Sequence, residues 1–202
     1  MLKRILLAGF LSSAIFCTGY QCEAKSAQTA EESAELKQAK ALVQEFLNKA
    51  LKIIKASGKT PQEIQNEIAD LLMEYADVEG ICRYVIGKAN YTKITDKKKF
   101  LRYFCKKLAA TYYASFMDYK NADIEVIRVV RRGKRQILVT VRISAPGKKE
   151  VLVVFSVFIT KHGLLIYDAT VDNVSLSQVI KDSQSKQILQ DYNAANKKKV
   201  RK

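Results

Sequence analysis

The sequence predicts an α+β domain, with helices packed on one face of a curved antiparallel sheet of about four strands. Up to residue 120 the apolar side chains recur at three- and four-residue steps, which stacks them on one side of a helix. After Asn121 the repeat shortens toward two, the period of a strand. The strand-like runs follow one another with short turn sequences between them, which favours a meander of hairpins over the crossovers a parallel sheet requires.

The first helix is expected over residues 30–55, its inward face carrying Leu36, Ala39, Val43, Phe46, Leu47, Ala50 and Ile54. "SGKTPQEI" ends it and starts the next: Gly58 suits a helix end, Thr60 can cap, Pro61 fits the first turn, and Glu63 completes a capping box. Ile64, Ile68, Leu71, Leu72 and Tyr75 give the second helix its apolar face. A short third helix lies in "DVEGICRYVIGK", with Val78, Ile81, Cys82, Val85 and Ile86 as its stripe and Gly87 as its stop. The fourth, over 96–119, sets Leu101, Phe104, Cys105, Leu108, Tyr112 and Phe116 opposite Lys98, Arg102 and Lys106. Such an aromatic stripe is in the first instance a core face.

The strand candidates are "DIEVIRVVRR", "RQILVTVRIS", "KEVLVVFSVFIT" and "GLLIYDATV", separated by "RGK", "APGKK" and "KHG". The third is apolar on both faces: Val151, Val153, Phe155, Val157 and Ile159 point one way, Leu152, Val154 and Phe158 the other. A half-exposed strand shows polar residues on its wet side, so an apolar cover is expected on both faces. A last helix begins at Ser175 with Leu176, Val179 and Ile180 inward, and runs into the basic, disordered tail expected over 193–202.

Residues 1–24 read as a secretory signal peptide. Lys3 and Arg4 precede the apolar run "ILLAGFLSSAIF", and a cut after Ala24 is expected. The run is shorter than the roughly 20 residues a bilayer span needs. Phe16 before Cys17 and Gln21 before Cys22 are too bulky for a lipoprotein signal. Lys3, Arg4 and Glu23 leave with the leader, so the remaining domain, 25–192 plus tail, carries 33 basic and 19 acidic groups and a net charge of +14. That charge favours anionic membranes, nucleic acid or acidic proteins without choosing among them. Cys82 and Cys105 remain, and an exported pair can form a disulfide or sit as two buried thiols.

Catalytic chemistry is thinly supplied. His162 is the single histidine and stands in a hairpin turn; with it and two distant cysteines there is no zinc pattern, and no glycine-rich phosphate loop exists. No cofactor, metal ligand or catalytic residue is assigned. The alternative is a cone-shaped α+β enzyme or small-ligand binder using a buried carboxylate, Asp168, beside Tyr167. "RRGKR" at 131–135 and the terminal "KKKVRK" can hold phosphates, but no nucleic-acid-binding motif accompanies them.

Three stretches in order resemble the MlaC family, also known as toluene-tolerance proteins: Ile86-Gly87 in "ICRYVIGK", Thr111-Tyr112 on the aromatic helix, and "LLIYDATVDNVSLSQVIKD" with Tyr167-Asp168 and Val174-Ser175-Leu176. The chain departs from the family pattern before Tyr167, where a tryptophan is usual, at Asn90, where an aromatic is usual, at Asn173, where glycine is usual, and at Ile180-Lys181, where Tyr-Arg is common. The resemblance implies a periplasmic phospholipid carrier, with an apolar cavity between sheet and helices that hides acyl chains. It would exchange lipid with an outer-membrane lipoprotein–porin complex and an inner-membrane ABC transporter of the Mla type, maintaining outer-membrane lipid asymmetry. The wall expected on that basis comprises Val85, Ile86, Leu101, Phe104, Leu108, Tyr112 and Phe116 from helices, and Val139, Val141, Val153, Phe155, Val157 and Ile166 from strands. Lys88, Lys93, Arg131 and Arg132 are the candidates for a cationic mouth that meets the lipid phosphate during transient contact with membranes.

Overall fold

The computed structural model describes the backbone over residues 20–200 and side chains over 33–195. The expected leader therefore lies largely outside the described residues. Among the described residues the chain divides after Glu35, and the part from Leu36 onward forms a compact unit of its own. In chain order the elements are α1 (Tyr20–Lys55), α2 (Pro61–Tyr75), α3 (Val78–Ile86), α4 (Lys88–Thr92), α5 (Lys97–Asp118), β1 (Asp123–Arg132), β2 (Gln136–Ser144), β3 (Val151–Thr160), β4 (Gly163–Val171), β5 (Val174–Ser175) and α6 (Leu176–Val200). The short α4 and β5 have no counterpart in the periodicity, α1 begins ten residues before the expected start at 30, and the backbone stays helical to Val200.

The expected capping box forms: the Thr60 hydroxyl accepts from the Glu63 N–H at 3.3 Å and the Glu63 carboxylate accepts from the Thr60 N–H at 2.8 Å. Asp77 caps α3 by accepting from the Gly80 N–H at 2.9 Å. A β-carbon at position 80 would stand 2.3 Å from the Asp77 carboxylate, so glycine is what lets this cap close. The Asp77 N–H donates to the Ile166 carbonyl at 2.9 Å, and Ala76 forms a parallel bridge with Ile166, fixing the α2–α3 corner to the sheet.

All strands are antiparallel, in the order β1-β2-β3-β4-β5, a curved sheet that does not close. Register slips beside Ile127 in β1 and Tyr167 in β4 mark bulges, which bend and twist a sheet locally. At the two-residue turn into β5 both Asp172 (φ 48°) and Asn173 (φ 64°) are left-handed. Asparagine tolerates that region better than other side chains, which explains how it stands where the family usually has glycine.

One face of the sheet carries Ile137, Val139, Val141 and Val157, each fully buried, with Val153, Phe155 and Ile166 nearly so. Helix α1 stands on this face, the Phe46 ring centroid 6.2 Å from that of Phe155 and 5.9 Å from that of Tyr75. The opposite face of β3 corrects an expectation. Leu152 is 44% exposed and Val154 and Phe158 are only half-buried, so this side has no full apolar cover. Its neighbours across the ladder are the reason: Arg142 faces Leu152, Thr140 and Thr170 flank Val154, and Phe158 shields itself against the Tyr167 ring at 4.9 Å. The face is a mixed polar surface once its strands are assembled, although β3 alone reads as apolar.

Candidate functional site

Helix α5 carries five of the seven helical residues expected in the wall. Phe100, Phe104, Cys105 and Ala109 are buried along its first three turns, whereas Leu108, Tyr112, Tyr113, Phe116 and Met117 are half-buried. The same gradient runs along the sheet. Ile124 and Val126 at the start of β1, Ile143 at the end of β2, Val151 at the start of β3, and Ala169 and Val171 at the end of β4 are half-buried and packed on the core. Strand direction places all of these at one end of the sheet, where α5 finishes and passes through 119–122 into β1.

That end is held together by several contacts. Tyr119 donates its hydroxyl to the Lys149 carbonyl at 3.2 Å, and Lys148 pairs with Asp118 at 2.8 Å, which raises the Lys148 pKa. Tyr112 donates to the Leu176 carbonyl at 3.3 Å, tying α5 to the start of α6. Burial, and then the charge of Asp168, push the Tyr112 phenol above its usual range. Here a closed core grades into an apolar rim with Lys120, Lys148 and Lys149 at its exposed border.

Every expected wall residue belongs to this one cluster. Val85, Ile86, Phe104, Val139, Val141, Val153, Phe155, Val157 and Ile166 are buried, while Leu101, Leu108, Tyr112 and Phe116 are half-buried against them. In this structure the deep members pack as a continuous protein core. Open surface concavities of about 530 Å³ over α1 and about 320 Å³ between α1 and α2 both border Lys49 and Lys52. Sequence reasoning passed over Ile124, Val126, Ile143, Val151, Ala169 and Val171 as wall residues, although the alternation along each strand puts them on the same face as those it named.

The four candidate mouth cations do not gather at the half-buried end. Lys88 and Lys93 are exposed at the two ends of α4, just ahead of α5. Arg131 and Arg132 close β1 at the opposite end of the sheet, where the Arg131 guanidinium donates to the Lys134 carbonyl at 3.1 Å.

Asp168 accepts from the Ser177 N–H at 3.1 Å, and Ser175 accepts from the Gln178 N–H at 3.1 Å, so both satisfy the first turn of α6. Cys82 and Cys105 are free and fully buried, and burial pushes each thiol up to about 12. Among the described residues no cluster of histidine, cysteine or carboxylate side chains is able to hold a metal ion, and no helix is long and apolar enough to cross a membrane.

Comparison with known proteins agrees with this fold. The chain is similar in fold to a phospholipid-binding protein from Ralstonia solanacearum solved in complex with a phospholipid: the TM-score is 0.63 at 17% identity, covering 78% of this chain and 97% of that one. No curated protein sequence matches the chain. The sequence profile of the MlaC protein matches residues 43–197, which takes in every candidate wall residue. The chain belongs to the MlaC family.

Proposed function

We propose that this protein is a periplasmic phospholipid carrier. The reading is that residues 1–24 direct export and are removed, and that 25–192 form the lipid-binding domain. The domain takes phospholipid from one membrane complex and gives it to another, an outer-membrane lipoprotein–porin complex and an inner-membrane ABC transporter of the Mla type, and so maintains the asymmetry of the outer membrane. No bond is made or broken. The observation that carries the reading is the half-buried apolar end, where Leu108, Tyr112 and Phe116 of α5 pack against the apolar cluster without complete cover.

The energetic demand is large. Two acyl chains with ~30 methylenes, at ~0.8 kcal/mol each, cost ~24 kcal/mol to hold in water. A partly exposed rim alone does not offset that, so the chains enter by parting the second half of α5 from the sheet, which exposes the deeper wall around Phe104, Val139, Val141 and Phe155. Parting begins where packing is already incomplete. Lys120 and Lys149, exposed at the border of this end, meet the lipid phosphate on this reading. The family supports the same chemistry, and the Ralstonia protein was solved with a phospholipid bound.

The test is to purify the protein without detergent, extract it with organic solvent and identify the extract by mass spectrometry. Stoichiometric phospholipid is expected. An empty protein that turns over a small substrate, and loses that turnover on Asp168→Asn, would favour the carboxylate enzyme instead.

A further inference from the structure

A cluster of exposed positive charge stands at the far end of α5 from the apolar rim. Between residues 87 and 99 the sequence has five lysines and one carboxylate. Lys88, Lys93, Lys97 and Lys98 are all exposed. The acids nearby are committed: Asp96 caps α5 through the Lys99 N–H at 3.0 Å, Asp70 pairs with Arg102 at 2.6 Å, Glu79 with Arg83 at 3.5 Å and Asp191 with Lys107 at 2.8 Å. Helix α6 adds to the same end. Running back along α5, it brings the Tyr192 hydroxyl to the Asp96 carbonyl at 3.4 Å and the Tyr192 ring to within 4.7 Å of Phe100, and its backbone continues to Val200 through the sequence "NAANKKKV".

We infer that this pole, formed by α4 and the first turn of α5, is an adhesion surface for an anionic lipid bilayer. Its composition separates a bilayer from a protein partner. The exposed residues between the lysines are Ala89, Asn90, Thr92, Thr95 and the capping Asp96, while Tyr91 and Ile94 are turned inward and buried. Protein interfaces concentrate their energy in arginine and aromatic anchors, and the pole exposes neither. Flexible lysines without an anchor suit a diffuse plane of headgroup charge, to which each adds attraction that salt screens. At 1.5 Å per residue the 22 residues of α5 span about 33 Å, so a protein adhering by this pole keeps its apolar rim off the bilayer, free to meet a partner. The inference stands on charge placement and does not depend on what the interior binds.

The experiment is co-sedimentation of the protein with vesicles containing phosphatidylglycerol or made of phosphatidylcholine alone. The variants are K88Q/K93Q/K98Q and a control that removes the same charge elsewhere, K40Q/K55Q/K161Q. Lys97 is left in place because it donates to the Ile94 carbonyl at 3.5 Å and stands over the Tyr91 ring. Expected are salt-sensitive binding to the anionic vesicles only, a loss of about tenfold or more in the pole variant, and a smaller loss in the control. Equal losses in the two variants would show that net charge alone acts. Absence of anionic-vesicle binding by the unaltered protein, as for a pole that serves an acidic protein, also overturns the inference.

Discussion

The Tyr112 hydroxyl donates to the Leu176 carbonyl across 3.3 Å, joining the half-buried part of α5 to the first residue of α6. This is a polar tie at the apolar end where parting of helix and sheet is proposed to begin. Tyr112→Phe keeps the ring and deletes the tie. It should lower stability by about 1 kcal/mol in a denaturant melt and speed release of a fluorescent phospholipid to acceptor vesicles. A slower release would mean that the tie does not restrain opening.

Leu108 sits one turn before Tyr112 on the same half-buried stretch of α5. Leu108→Glu places a charge against the proposed path of the acyl chains and should abolish co-purified lipid, whereas Leu108→Met, which keeps volume and polarity, should retain it. A folded Leu108→Glu protein with a normal lipid content would remove this part of α5 from the wall.

Asp168 is best explained as a cap. Asp168→Ala should cost about 1 kcal/mol by leaving the Ser177 N–H without its acceptor, and Asp168→Asn, itself a good capping residue, should cost less. Lipid content should change in neither. A loss of lipid in Asp168→Asn at unchanged stability would give the carboxylate a direct part in binding.

The two thiols make stability pH-dependent on the alkaline side. Unfolded cysteines ionise near 9.0, but buried Cys82 and Cys105 stay protonated until about 12. The unfolded state thus releases protons that the native state keeps, and stability falls as pH rises through that window, by up to about 2.7 kcal/mol per pH unit for two thiols. Melts from pH 8 upward should show the decline, and Cys82→Ala/Cys105→Ala should flatten it. Native protein at pH 8 should also resist thiol-directed reagents until it is unfolded.

Period and turn chemistry made the order of elements legible in the sequence, and the strands 123–132 and 163–171 match β1 and β4 residue for residue. Helix α4 escaped because five residues are too few to show a period, and β5 because two residues have no alternation. The second face of β3 misled because a strand read alone hides its neighbours: Thr140, Arg142 and Thr170 supply from adjacent strands the polarity that β3 lacks. The residues expected in the wall come from α3, α5 and one face of the sheet, and period alone places them in one apolar cluster. Period says nothing of where surface cations stand in space: Lys88 and Lys93 are close in sequence to α5 and stand at its start, the length of the helix away from the rim.

The most direct test of the central claim places a photo-crosslinking amino acid at Phe116, on the half-buried stretch of α5, or at Phe158, on the opposite face of the sheet. Irradiation in cells followed by mass spectrometry should find phospholipid attached at position 116 and none at 158. Attachment at 158 alone, or at neither position, would contradict the claim that acyl chains lie between α5 and the apolar face of the sheet.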